Sequence, residues 1–394
     1  MVTPHLPPEQ AANALLPPIV AGELAADGVA CSFVSHAPAS PAANTAGARD
    51  LGAVTFVPRR GRRWVDRTRA GAAVAAARIA LGARPAIAGA DLVHLHGNGL
   101  IVEVAGRLAA RRGVPYVITL YGTDVWHHDA RRHGRFAAIV RGAAHRVFYS
   151  RALLEFGRPL GLADEPASVI YAPVAPTFRP AAGDERDRLR QRLGAGAGPI
   201  LVTVKRLHPV AGHEDLLRAM PDIVRAFPGV SLWLAGDGPL RPSLEALTRD
   251  LDLSSHVRFL GAQPNETLWQ YLTAADCFVL PSRLESWGTV MLEALACGTP
   301  VVATDTGGGQ EVRSYFPDDV TLCERENPGS LASAVLTSLR ASHRTGEATA
   351  GLLRARFSPA ACAAQYLKVY ESVVPGSAER RDVPRDASPD HPAR

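Results

Sequence analysis

Short apolar runs and stretches of helical spacing alternate along the whole chain. In the first half, Val29–Val34, Ala53–Val57, residues 91–97, Pro115–Leu120, Arg146–Ser150 and Ala167–Tyr171 read as strands. Helical patterns end at Ala26, cover Val65–Leu81 and Ile101–Arg112, and resume after Ser150. Only Val2-Thr3 precede the first Pro-rich loop, so the opening strand is either a stub or starts upstream of Met1; the second is favoured. After a Pro-, charge- and Gly-rich stretch the alternation restarts. Ile200–Val204, Val230–Ala235, Val257–Leu260, Cys277–Leu280 and Pro300–Ala303 read as strands. Glu214–Phe227, Arg241–Asp250, Asn265–Ala274, Thr289–Ala296, Leu331–Leu339 and Ala360–Val374 read as helices. Strands alternating with helices predict an α/β fold with mostly parallel sheets. The boundaries are residues 1–175 for a first domain, 176–197 for a linker, 198–358 for a second domain, 359–374 for a C-terminal helix and 375–394 for a disordered tail.

Parallel sheets place ligands at the carboxyl ends of their strands. Two such ends stand out. In the first domain, His96 closes one strand, and another runs into Tyr121-Gly122-Thr123-Asp124. In the second, Cys277–Leu280 breaks at Pro281, a loop carries Glu285, and a helix begins near Thr289 and carries Glu293. A loop that delivers backbone N–H groups to a helix N-terminus binds phosphate. A carboxylate on each side of that cradle suits a ligand with phosphates in its middle and hydroxyls at both ends, which is the shape of a nucleotide sugar.

Composition narrows this further. The chain has 394 residues and 47% hydrophobic content, enough for two cores. No apolar run approaches the ~18–20 residues of a spanning helix, because Arg78 and Arg84 interrupt Ala70–Ala90. Five scattered cysteines give no disulfide framework and fit a reducing cytoplasm. Residues 51–151 hold 17 Arg and no Lys against 5 acidic residues, densest at Arg59–Arg63. That run reads first as a solvated loop, with an anionic acceptor or weak contact with an acidic membrane surface as the functional readings. No nucleic-acid module is present. The single Asp-x-Asp, Asp250-Leu251-Asp252, lies at a helix end, and the histidines lack ligand spacing, so no metal site and no cofactor beyond a nucleotide-sugar co-substrate is expected.

The second half resembles a known family. Glu285 and Glu293 match a Glu-x7-Glu motif, Gly236-Asp237-Gly238-Pro239 matches a turn, and Gly298–Ala303 and Gly307-Gly308 through Glu311 match the tail of the same signature. These residues are similar to family-4 retaining glycosyltransferases of GT-B fold, in which two doubly wound Rossmann-like domains face each other across a cleft. The resemblance implies that Glu293 accepts from ribose hydroxyls, that Glu285 meets the donor sugar, and that backbone N–H groups at Trp287, Gly288 and Thr289 hold sugar and phosphate. It also places Arg206 on the diphosphate, where a cation stabilises the leaving charge. The family's phosphate-binding Lys is replaced by Ala211. Lys205 and His208 are the candidate substitutes, and strand alternation, which sets Lys205 opposite Arg206, favours His208. Tyr121 replaces the family's His before Gly122. Weaker similarity links Leu120–Trp126 and Lys205–Gly212 to aminoglycoside-pathway enzymes acting on 2-deoxystreptamine.

The resulting expectation is retaining transfer from a UDP-sugar to a small-molecule acceptor in antibiotic biosynthesis. Glu285, Arg206 and Asp124 are the catalytic candidates. Glu293, Trp287, Gly288, Thr289, Lys205, His208 and Gly236 are assigned to the donor, and Tyr121, Gly122 and His96 to the acceptor side. The alternatives are a membrane-lipid or cell-envelope acceptor and an inactive nucleotide-sugar-binding protein.

Overall fold

The computed structural model describes residues 1–7, 9, 12–37, 53–59, 68–128 and 134–374. Most of the arginine run (60–63), Asp129 and the tail 375–394 lie outside the described residues.

The N-terminal unit comprises α1 (Ala12–Ala26), β1 (Ser32–His36), β2 (Ala53–Val57), α2 (Arg69–Ala88), β3 (Val93–His96), α3 (Leu100–Arg111), β4 (Tyr116–Leu120), α4 (Thr123–Trp126), α5 (Gly134–Arg141), β5 (His145–Phe148), α6 (Arg151–Gly157) and β6 (Ala167–Val169). β1 and β2 pair in parallel, as do β3, β4, β5 and β6 in that order. Val2 bridges Val34 on one side and Leu95 on the other, so the opening residues join the two groups of strands. Every residue of β3 and β4 is buried, as a parallel strand covered on both faces must be.

α7 (Glu185–Arg192) leads to the C-terminal unit. Its elements are β7 (Ile200–Val204), α8 (His213–Ala226), β8 (Ser231–Ala235), α9 (Arg241–Asp250), β9 (Val257–Gly261), α10 (Leu268–Ala274), β10 (Cys277–Leu280), α11 (Thr289–Ala296), β11 (Val301–Thr304), α12 (Gly307–Tyr315), β12 (Val320–Cys323), α13 (Pro328–Ala341) and α14 (Glu347–Phe357). Its six strands lie in the order β12-β11-β10-β7-β8-β9, all parallel. Strand order reverses between β7 and β10, which opens a crevice at their carboxyl ends. α15 (Pro359–Val373) then returns to the first unit, where Tyr366 and Tyr370 pack with Val20, Leu24, Val117 and Val147.

Three differences from the sequence reading have physical causes. α2 runs through Arg78 and Arg84 for 20 residues, making it long and apolar enough to cross a membrane by length and composition. It packs against β2 and α3 through Ile79, Ala83 and Ile87, and both arginines sit on its exposed side. α12 starts on three glycines, poor helix formers, because the Thr306 side chain caps Gly309 N–H at 3.1 Å. Arg59 is paired with Glu9, so the described end of the arginine run is already neutralised.

Candidate active site between the two sheets

The loop after β10 sits over the crevice. Gly308 N–H donates to Glu285 O at 3.1 Å, and Ser286 N–H donates to Glu285 Oε1 at 3.1 Å. Glu285 Oε2 accepts from the Lys205 ammonium. Gly308 has to be glycine, because a Cβ there would lie 2.7 Å from Ser286 C. Gly288, with φ +69°, ends the loop and caps α11 without a side-chain bond. A Cβ at Gly288 would meet Met291 Cε at 2.7 Å. The first N–H groups of α11 therefore open beside Glu285, a ready anion cradle.

Glu293 lies one turn further along and is half-buried. Burial alone pushes its carboxyl up to about 7. Lys205 corrects the alternation argument: β7 ends at Val204, so alternation no longer dictates direction, and the Lys205 side chain turns onto Glu285. Arg206, two residues past β7, is exposed. Gly236, φ +148°, acts through its backbone, because a Cβ would lie 2.0 Å from Lys205 O. His208 is half-buried, and its Nδ1 is unbonded among the described residues. Ala211 is buried, and nearby His213 is buried with both ring nitrogens unbonded among the described residues, its pKa lowered to about 4 by burial and then by Lys205.

The facing N-terminal unit supplies Tyr121, Gly122 and His96. Tyr121 hydroxyl and His96 Nδ1 are 2.8 Å apart, and Tyr121 O accepts from Ser286 Oγ at 3.2 Å. His96 is buried, and among the described residues its Nε2 has no hydrogen-bond partner. Its ring lies 3.9 Å from that of His94, and burial holds both well below the ordinary imidazole range. Asp124 caps the loop at the end of β4. Its carboxylate is buried and accepts from Tyr121 N–H at 3.0 Å and Gly122 N–H at 2.9 Å. Burial raises its pKa, and those bonds oppose the rise. Asp124 is thus a positioning residue for the Tyr121-Gly122 turn. The Trp287 indole also turns away from the cradle. It is fully buried and stacks on Tyr171 at 4.1 Å, so only its backbone faces the cradle.

Sequence reasoning missed what holds the units together. Glu311 accepts from Arg151 N–H at 2.9 Å, Ala152 N–H at 3.1 Å and Tyr171 hydroxyl at 2.6 Å. Tyr149 hydroxyl lies 3.2 Å from Thr289 Oγ1 at the cradle itself. The only sequence signal was Glu311 in the motif tail. Glu311→Ala is expected to lower turnover about tenfold while costing about 1–2 kcal/mol of stability, since it removes interdomain bonds to a charged acceptor. Small-angle scattering should show a larger radius for the variant; an unchanged radius and unchanged rate would deny Glu311 this closing role.

A cavity of about 730 Å³ lies elsewhere, at the amino ends of β1 and β3, lined by Met1, Cys31, Leu92 and Tyr370 among others. None of the cradle residues lines it. The carboxyl-end rule selects the crevice, where the carboxylates, the ammonium and the helix N-terminus converge. Among the described residues no cluster of three or more His, Cys, Asp or Glu side chains is placed to hold a metal ion.

The model for group 1 glycosyl transferases matches residues 185–349, and that for Glycosyltransferase Family 4 matches residues 20–178. Both halves of the fold are therefore accounted for, in order. The chain thus carries two glycosyltransferase domains, of the group 1 and Family 4 types, on a GT-B fold. It is 36% identical over 225 residues (53% of this chain, 57% of the relative) to a GDP-mannose-dependent phosphatidylinositol monomannoside mannosyltransferase of Mycolicibacterium smegmatis. It is 31% identical over 234 residues (56% and 60%) to the 2-deoxystreptamine glucosyltransferase of Streptomyces kanamyceticus. It is 34% identical over 247 residues (57% and 54%) to a D-inositol 3-phosphate glycosyltransferase of Rhodococcus erythropolis. The chain thus spans between 54% and 60% of these relatives' lengths. Among solved structures, Anabaena HepE in complex with UDP and glucose superposes with a TM-score of 0.76 at 21% identity, over 94% of this chain and 100% of that one. Sucrose-phosphate synthase from Thermosynechococcus elongatus gives 0.75 at 22% identity, over 95% and 96%. These last two establish the fold.

Proposed function

We propose that the protein transfers a sugar from a nucleoside-diphosphate sugar to a hydroxyl of a cyclitol-type acceptor. One observation carries the reading: Glu285, the N-terminus of α11 and Glu293 lie in sequence along one crevice, with Lys205 on Glu285. The cradle holds the diphosphate, Glu293 accepts from ribose hydroxyls, and Glu285 accepts from the sugar. Tyr121 and His96 form the acceptor side, ordered by Asp124. Transfer then rests on orientation and leaving-group stabilisation in a cleft the Glu311 contacts keep closed. Retention of configuration and independence from metal belong to this proposal.

The acceptor class rests on the relatives' names. Phosphatidylinositol, inositol phosphate and 2-deoxystreptamine all contain a hydroxylated six-membered carbon ring. The UDP-sugar expectation stands beside a GDP-mannose-dependent relative, so the base and sugar are left to the test. A soluble aminocyclitol in the cytoplasm is the first reading, and a lipid-borne inositol is the second, favoured by the mannosyltransferase relative.

A thermal-shift screen tests the donor. UDP or GDP, and their sugars, are expected to raise the unfolding midpoint by several degrees at about 100 times the Kd, equivalent to about 2.7 kcal/mol. Absence of a shift with every nucleoside diphosphate would remove the donor reading. Co-sedimentation with phosphatidylinositol vesicles separates the two acceptor sources.

A further inference from the structure

The Lys205–Glu285 pair sits where β7 and β10 part. Both side chains are confined, Lys205 at 27% exposure and Glu285 at 9%. The other Glu285 oxygen holds Ser286 N–H, and its backbone oxygen holds Gly308 N–H, so the carboxylate is fixed to the loop that opens α11. The Lys205 backbone is held by its N–H donating to Ala235 O at 3.0 Å, with Gly236 packed close to its carbonyl. Around the pair, Arg206 is exposed, Ala211 is a buried methyl, and burial lowers the His213 pKa to about 4. An anion at the α11 N-terminus therefore meets an ammonium already bonded to a carboxylate.

We propose that this pair is a charge latch: the donor's diphosphate takes Lys205 from Glu285, and Glu285 is thereby released to accept from the sugar hydroxyls. The proposal rests on the nucleoside-diphosphate-sugar reading above. One ammonium cannot fully satisfy both anions, and a confined carboxylate that loses its partner needs other donors. A nucleotide sugar brings those donors with it. A nucleoside diphosphate does not, so after transfer Glu285 competes for Lys205 again and weakens, without abolishing, its hold on the product diphosphate. The latch thus favours donor over product and speeds product release.

Calorimetric titration of UDP, GDP, uridine and guanosine into the wild type, Glu285→Gln, Lys205→Gln and the double variant tests this. Glu285→Gln is expected to bind the preferred nucleoside diphosphate about tenfold more tightly, because Lys205 is set free. Lys205→Gln should bind it about tenfold or more weakly, and the charge-keeping Lys205→Arg within about threefold of wild type. In the double variant the gain from Glu285→Gln should vanish, leaving affinity within about twofold of Lys205→Gln. The nucleosides, lacking phosphate, should change less than about twofold throughout, which also reports that the variants fold. An unchanged or weakened diphosphate affinity in Glu285→Gln overturns the latch, as does simple additivity of the two changes. If the wild type binds neither UDP nor GDP, the donor reading fails first and takes the latch with it.

Discussion

Glu293→Ala should abolish stabilisation by nucleoside diphosphates, while Glu285→Ala, which also frees Lys205, should keep or increase it and instead lose discrimination among sugars. The expected loss for Glu293→Ala is about 2–3 kcal/mol of binding, roughly a hundredfold, because charge-assisted bonds to two ribose hydroxyls disappear. The pH dependence is distinctive. Burial raises the Glu293 carboxyl from 4.5 to about 7. The neutral form's contribution to stability is thus fully present below about 4.5 and is lost as pH rises through about 7. Nucleotide affinity should run the other way, since the carboxylate is the better acceptor, rising about tenfold between about pH 6 and pH 8. Glu293→Gln should flatten both slopes. Unfolding midpoints and titrations at three pH values check this; equal losses from Glu293→Ala and Glu285→Ala would contradict the division of roles.

Gly212→Ala should be the most damaging single methyl in the crevice. Gly212 has φ +70° and starts α8, and a Cβ there would lie 1.8 Å from Pro281 O. That oxygen belongs to the backbone at the end of β10 and cannot swing aside. The expected cost is on the order of 3–5 kcal/mol, with the loop carrying Glu285 displaced. Gly194 has a similar φ of +65° but nothing within 4 Å of its Cβ position. Gly194→Ala should therefore cost only about 1 kcal/mol, the backbone strain alone. Chemical unfolding of the two variants separates clash from strain, and equal costs would show that the Pro281 contact is not tight.

The chain's local grammar was legible. Aliphatic runs ended by Pro281 or Gly298 announced strands and their carboxyl ends, and hence the cradle between Glu285 and Glu293. What stayed hidden were directions and partners set by distant segments. Lys205 meets a carboxylate 80 positions away, and Glu311 caps a helix 160 positions away. Asp124 looked catalytic at a strand end, yet its short side chain reaches its own turn first. Trp287 was identified for its backbone, but nothing local showed that Tyr171 and Phe357 would close over the indole. α2 was discounted for its two arginines, which a helix can turn to one side.

Turnover tests the central claim most directly. The protein would be incubated with UDP-glucose or GDP-mannose and with 2-deoxystreptamine, myo-inositol or phosphatidylinositol vesicles, and products followed by mass spectrometry. The account predicts release of the nucleoside diphosphate together with an acceptor heavier by one hexose, with both signals lost in Glu293→Ala. Nucleotide binding without transfer to any cyclitol acceptor, and without slow donor hydrolysis, would contradict it.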